Sequence, residues 1–179
     1  MGNTRRRRLE ELIAREILLA LGLLGVALLQ VGLPARPLDF FPNILLLVVI
    51  CRALLSGAGS GARWAFYGGL GLDLCSGSPL GEHALAMLLA MLAALIALAP
   101  FSRGSWIVPI AGVLLGAMAY HLVIGLLVSA TVAVIDPRAY LLIAALPETL
   151  ATLIPALPVF LLMSWLQDRR RGVVPVDVY

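Results

Sequence analysis

Long apolar stretches, separated by short runs of Arg, Pro, Gly and Ser, make up most of this chain. A membrane's hydrocarbon core is about 30 Å thick and takes roughly 20 helical residues to cross. Six stretches approach that length and are read as spans. The first covers about 17–33 and ends at Pro34. The second runs from about Pro42 to Leu55, after a Pro34–Phe41 loop. The third is about 61–77 and the fourth about 84–99, separated by the turn Ser76-Gly77-Ser78-Pro79-Leu80-Gly81. The fifth lies within 104–135, which holds no acidic residue and no Arg. As one helix those 32 positions would reach about 48 Å, so the span must tilt or project. The sixth, about 140–166, carries Pro147, Pro155 and Pro158. These are expected to kink the helix rather than end it, because neighbouring helices satisfy freed backbone groups.

The third span has a second pattern laid over its hydrophobicity. Every fourth position is small or acidic: Gly61, Ala65, Gly69, Asp73 and Gly77. Residues four apart share a face of an α-helix. A track of small side chains lets helix backbones approach closely in a membrane. A carboxylate on that track faces protein, since facing lipid costs several kcal/mol. Gly112 and Gly116 in the fifth span form a second close-packing pair, read as internal packing. The Ser78–His83 turn reads as a helix start, with Ser78 as N-cap and Pro79 at the first position. Glu82 and His83 are then interfacial.

Composition narrows the class. Of 179 residues, 61% are hydrophobic and only 13% charged, about half the charge of an average soluble domain. Mean hydropathy is +1.02. The chain is thus read as one all-α polytopic membrane domain, with no room for a second globular core. It divides into an N-terminal segment 1–16, a six-span domain 17–166 and a tail 167–179. The Arg run before the first span imitates a secretory signal but lacks a small-x-small cleavage site, so an uncleaved first helix is expected. Cys51 and Cys75 fall in apolar segments at different depths, which argues for free thiols rather than a disulfide.

Net charge is +3, and its placement says more than its sum. All 13 basic residues are Arg. With both termini cytoplasmic, Arg5–Arg8, Arg15, Arg63, Arg103 and Arg169–Arg171 lie inside, ten in all, against Arg36 and Arg138 outside. Arg52, near the inner end of the second span, is expected to snorkel to the interface; a functional ion pair is the other reading. This placement puts Asp73 near the outer end of span three and Glu148 about two turns below the outer end of span six. His121 lies near the middle of span five. All three are expected to meet in the outer half of the bundle.

Intramembrane ionisable groups often mark a ligand or proton site. Each has a plainer reading. Asp73 caps or hydrogen-bonds a neighbouring helix end, and His121 is a neutral imidazole satisfied inside the bundle. For Glu148, a protonated carboxyl and a partner contact stand open together. No His/Cys/Asp cluster has metal-ligand spacing, and no cofactor is expected. No phosphate loop, nucleotide fingerprint, zinc-protease helix or nucleophile elbow is present, which argues against an enzyme.

Gly69-Leu70-Gly71-Leu72-Asp73-Leu74-Cys75-Ser76, followed by Ser78-Pro79-Leu80-Gly81, resembles the G-x-x-x-D-x-x-x-x-x-x-L-G signature of the bacterial rod shape-determining protein family MreD. The length, the proline-led second span (Pro42-Asn43-Ile44-Leu45-Leu46) and the proline-bearing last span before Arg169-Arg170-Arg171 agree with it. The likeness covers spans two to six. The family often carries Asn in the last span where this chain has Pro147-Glu148-Thr149, so the carry-over stops at Gly69, Asp73, Pro79, Leu80 and Gly81. The resemblance implies a fold similar to the substrate-binding subunits of energy-coupling-factor vitamin transporters. It also implies a non-enzymatic scaffold of the cell-wall elongation machinery in the bacterial cytoplasmic membrane. Its partner would be the single-span protein MreC, and indirectly the MreB filament, RodA and a class-B penicillin-binding protein. The candidate packing or partner-binding residues are Gly69, Asp73, Gly77, Pro79, Leu80, Gly81, His121 and Glu148. The alternative is a vitamin-transporter subunit using Asp73, His121 and Glu148 around an outward cavity. Its expected docking track on the first helix is not clean here, with only Ala20, Gly22, Gly25 and Ala27. A channel or proton carrier is a third class, disfavoured by an uncharged Ala84–Ala99.

Overall fold

A computed structural model describes residues 3–32, 41–101, 106–131 and 136–171. Arg36, Arg103, most of the Pro34–Phe41 loop and the tail past Arg171 lie outside the described residues, as do the side chains of Arg5–Arg8, Arg170 and Arg171. Among the described residues the structure is all-helical, with no strand. The helices are α1 (Asn3–Gly32), α2 (Ile44–Ser56), α3 (Ala58–Ser76), α4 (Glu82–Leu98), α5 (Ile107–Thr131), α6 (Pro137–Leu153) and α7 (Ala156–Arg171).

Helix α2 is the centre of the bundle. It is apolar around its circumference up to Arg52, the mark of a helix surrounded by protein. Leu45, Leu46, Leu47, Val49, Ile50 and Cys51 are fully buried. Its start is fixed by Asn43, whose side-chain oxygen accepts from Leu46 N at 3.0 Å. It ends at Gly57, and α3 follows at once, so the two helices fold back as a hairpin. Helix α3 packs against α1, α2 and α4, and α4 packs on α5, which with α7 closes over α2.

The small-residue track explains how closely these helices approach. A methyl group added at Gly69 would lie 2.3 Å from the Cα of Ala84, so α3 and α4 touch backbone to backbone there. At Gly116 it would lie 2.2 Å from Ile50 Cδ1, and at Gly112 2.9 Å from Leu54 Cδ1. The Gly112/Gly116 face is thus filled by α2, as internal packing requires. Both cysteines are free thiols, Cys51 buried in α2 and Cys75 half-buried in α3.

Two segments, Glu10–Gly32 of α1 and the whole of α5, are long and apolar enough to cross a membrane. Helices α6 and α7 make a third span if taken together. Helices α2 and α4, at 13 and 17 residues, are shorter, and α3 is diluted by its glycines and polar residues. The structure therefore gives two or three candidate spans on length and composition.

The last span departs from expectation. Pro147 stays inside α6, just after a π turn at Leu141–Ala145, and Pro158 sits in the first turn of α7. Pro155 does not merely kink the helix. It separates α6 from α7, which meet at a bend of 47°. A proline has no N–H to donate, and its ring clashes with the preceding turn, so a break is the natural outcome where nothing holds the two halves in line.

Candidate functional site

The polar side chains gather at the end of the bundle where α3 gives way to α4. Asp73 is 2% exposed at the close of α3. Its Oδ2 accepts from Gly81 N at 2.8 Å, and its Oδ1 accepts from His83 N at 2.8 Å and from Ser78 Oγ at 3.4 Å. The first N–H groups of a helix have no partner within it, and a carboxylate there is doubly favoured by hydrogen bonds and by the helix dipole. Asp73 is thus the cap of α4, supplied from the preceding helix.

This corrects the expected helix start. Ser78 is not the N-cap and Pro79 is not the first helical residue; α4 begins at Glu82, with Gly81 at the cap position. Gly81 has φ +97° and Gly77 φ +70°, left-handed conformations that glycine adopts without a Cβ penalty. These two glycines let the chain leave α3, pass Ser78, Pro79 and Leu80, and return its N–H groups to Asp73. Pro79 and Leu80 are exposed, Leu80 at 73%. Gly69 closes the same corner from below by its contact with Ala84.

Asp73, His121 and Glu148 do not meet as one cluster. His121 Nε2 stands 3.8 Å from Glu148 Oε2, while among the described residues Asp73 is linked towards them through His83 and Tyr120. His83, whose main-chain N–H bonds Asp73, shares a 2.8 Å hydrogen bond between its Nδ1 and Tyr120 Oη. Tyr120 packs edge-to-face on His121 with ring centres 5.4 Å apart, and His121 Nδ1 lies 3.3 Å from Tyr140 Oη. His83 is half-buried and tied to α5 through Tyr120.

A second thread, unseen in the sequence reading, runs through Gln30, Asn43, Glu148 and Thr152. Asn43 Nδ2 donates to Glu148 Oε1 at 3.0 Å, and Asn43 N donates to Thr152 Oγ1 at 2.9 Å. Thr152 Oγ1 in turn donates to Glu148 O at 2.7 Å. Gln30 Nε2 donates to Asn43 Oδ1 at 3.2 Å, and Gln30 Oε1 accepts from Leu45 N at 3.1 Å. One amide pair thereby ties α1, the start of α2 and α6 together. The only local signal for it was Asn43, a polar residue directly before an apolar run.

These groups surround an open cleft of about 430 Å³, lined by Gln30, Asn43, Leu72, His83, Tyr120 and Glu148 among others. Asp73 and His121 are not on its described wall. A second, apolar groove of about 330 Å³ lies between α5 and α6, with His121, Gly125, Tyr140 and Leu141 on its sides. At the opposite end of the bundle Arg52 Nε donates to Ser60 Oγ at 2.9 Å, its guanidinium 5.4 Å from the Trp64 ring centre. Gln167 Oε1 accepts from Arg52 Nη1 at 3.4 Å and from Ser56 Oγ at 3.0 Å, which fastens α7 to the α2–α3 corner. Arg63 pairs with Glu16 and fixes α1 to α3 near that end.

No protein-family model matches the chain, and comparisons with curated proteins and with solved structures gave no match either.

Proposed function

We propose that this chain is a non-enzymatic scaffold of the cell-wall elongation machinery, of the MreD kind. In this reading α1 to α5 each cross the cytoplasmic membrane of a bacterium, α6 and α7 together make the sixth crossing, and both termini lie inside. Helices α2 and α4 are the short ones, and α3 has the length but not the hydropathy of the longer spans. The chain binds MreC, and through it serves the MreB filament, RodA and a class-B penicillin-binding protein. The supporting observation is the corner from Asp73 to Gly81. The residues of the family-like signature are the ones used there: the acid as cap, Gly81 for its positive φ, and Gly69 for the helix contact. A carboxylate committed to two main-chain N–H groups shapes a surface rather than driving a reaction. The exposed Pro79 and Leu80 at the tip offer an apolar contact on the outer side.

A second reading, a small-molecule-binding subunit with the same number of helices, is favoured by the 430 Å³ cleft, a size usual for ligand pockets. Of its three expected polar residues only Glu148 lines the cleft. Extraction of the full chain in mild detergent separates the readings. Recovery of a single-span coiled-coil partner supports the scaffold, and recovery of an ATPase module sinks it.

A further inference from the structure

The cleft at the Asp73 end has a lopsided chemistry. Asn43 Nδ2 donates to Glu148, Gln30 Nε2 donates to Asn43, and the Tyr120 hydroxyl is shared with His83 Nδ1. Glu148 uses Oε1 on Asn43, and its side chain keeps 32% of its surface exposed. A carboxylate has about four lone-pair sites, so accepting capacity is left over. Ile143 and Ala144, in the π turn that precedes Pro147, form another part of the wall. No Arg stands on the described wall, and the chain has no Lys. Apart from Ser76, whose hydroxyl donates to Leu72 O, the rest of the lining is apolar or aromatic, with Val31, Leu72 and Phe41 beside Tyr120.

From this arrangement we infer that the cleft binds a small organic cation, with its ammonium group on Glu148 and its apolar body against Leu72, Phe41 and Ile143. An ammonium brings three donors and no acceptor, the complement of a carboxylate with lone pairs to spare. A carboxylate–ammonium contact is charge-assisted and stronger than a neutral one, and an aromatic ring near the cation adds to it. An anion would meet the Glu148 carboxylate, with no Arg on the described wall to offset it. The inference rests on the second reading, the cleft as an occupied pocket, and it names the ligand's chemical class.

The test uses the full chain in nanodiscs of zwitterionic lipid, with empty nanodiscs subtracted. Calorimetry measures binding of phenethylammonium, of its neutral counterpart 2-phenylethanol, and of phenylacetate. The expected result is saturable binding of the cation about tenfold tighter than the alcohol, a difference of about 1.4 kcal/mol, with phenylacetate weakest. Glu148→Gln keeps an acceptor for Asn43 and removes the charge, so it should erase the preference for the cation. Ala144→Leu fills the cleft and should abolish binding of every probe. Equal binding of cation and alcohol to the unaltered chain, or an unchanged preference in Glu148→Gln, overturns the inference while leaving the pocket itself standing. No binding of any probe at millimolar concentration overturns both.

Discussion

Replacing Asp73 separates a structural acid from a functional one. In Asp73→Ala the N–H groups of Gly81 and His83 lose their 2.8 Å acceptors at a position 2% exposed. A buried donor left without a partner costs about 1–3 kcal/mol, so the two together destabilise by roughly 2–6 kcal/mol. In Asp73→Asn one acceptor oxygen survives, and the amide N–H₂ is turned against the other main-chain donor. About half the alanine loss is expected, roughly 1–3 kcal/mol. Unfolding of the purified protein in detergent, followed by α-helical circular dichroism against denaturant, measures the order. Hydrogen exchange localises it, because the amides of Gly81 and His83 should exchange faster in both variants while those in α2 stay protected. Wild-type stability in Asp73→Asn, with unchanged exchange at Gly81 and His83, would refute the capping role and restore a functional one.

Three more outcomes follow from the same geometry. Gly69→Ala places a methyl 2.3 Å from Ala84 Cα, where ordinary contacts begin near 3.4 Å, and backbone cannot rotate aside; a loss of at least about 1–3 kcal/mol in the same unfolding assay is expected, and neutrality would mean the helices are further apart. Thr152→Val keeps the shape and removes the acceptor for Asn43 N, and should cost about 1–3 kcal/mol, which differential scanning fluorimetry detects as a lower melting temperature. In a Cys75→Ser background, Leu80→Cys should react with a membrane-impermeant maleimide on intact cells, and Ala58→Cys, at the α2–α3 corner, only after permeabilisation; equal labelling of the two would show that α3 does not cross the membrane.

The corner around Asp73 was legible in the sequence because everything that builds it lies within fifteen residues. The track Gly61, Ala65, Gly69, Asp73 is a helical periodicity, and its acid had nowhere to go but a nearby polar group. The exact cap was misread, since Ser-Pro is a common helix opening and a cap given by the previous helix leaves no local mark. The Gln30–Asn43–Glu148–Thr152 thread was illegible for a different reason. Its bonds join residues 105 and 109 positions apart, and no spacing rule reaches across a folded bundle. The same holds for Gln167 against Arg52 and Ser56. His121 and Glu148 did come together, but among the described residues Asp73 is linked towards them through His83 and Tyr120. The break at Pro155 depends on what flanks the proline in space, which the sequence does not state.

The scaffold role is tested most directly by binding between this chain and MreC from the same cells, each purified and placed together in nanodiscs. A saturable complex is predicted, weakened in Gly69→Ala and in Asp73→Asn in proportion to the disturbance of the Gly81 and His83 amides. No complex between two folded proteins, with the cleft binding its small cation all the same, would contradict the scaffold and leave a small-molecule-binding protein in its place.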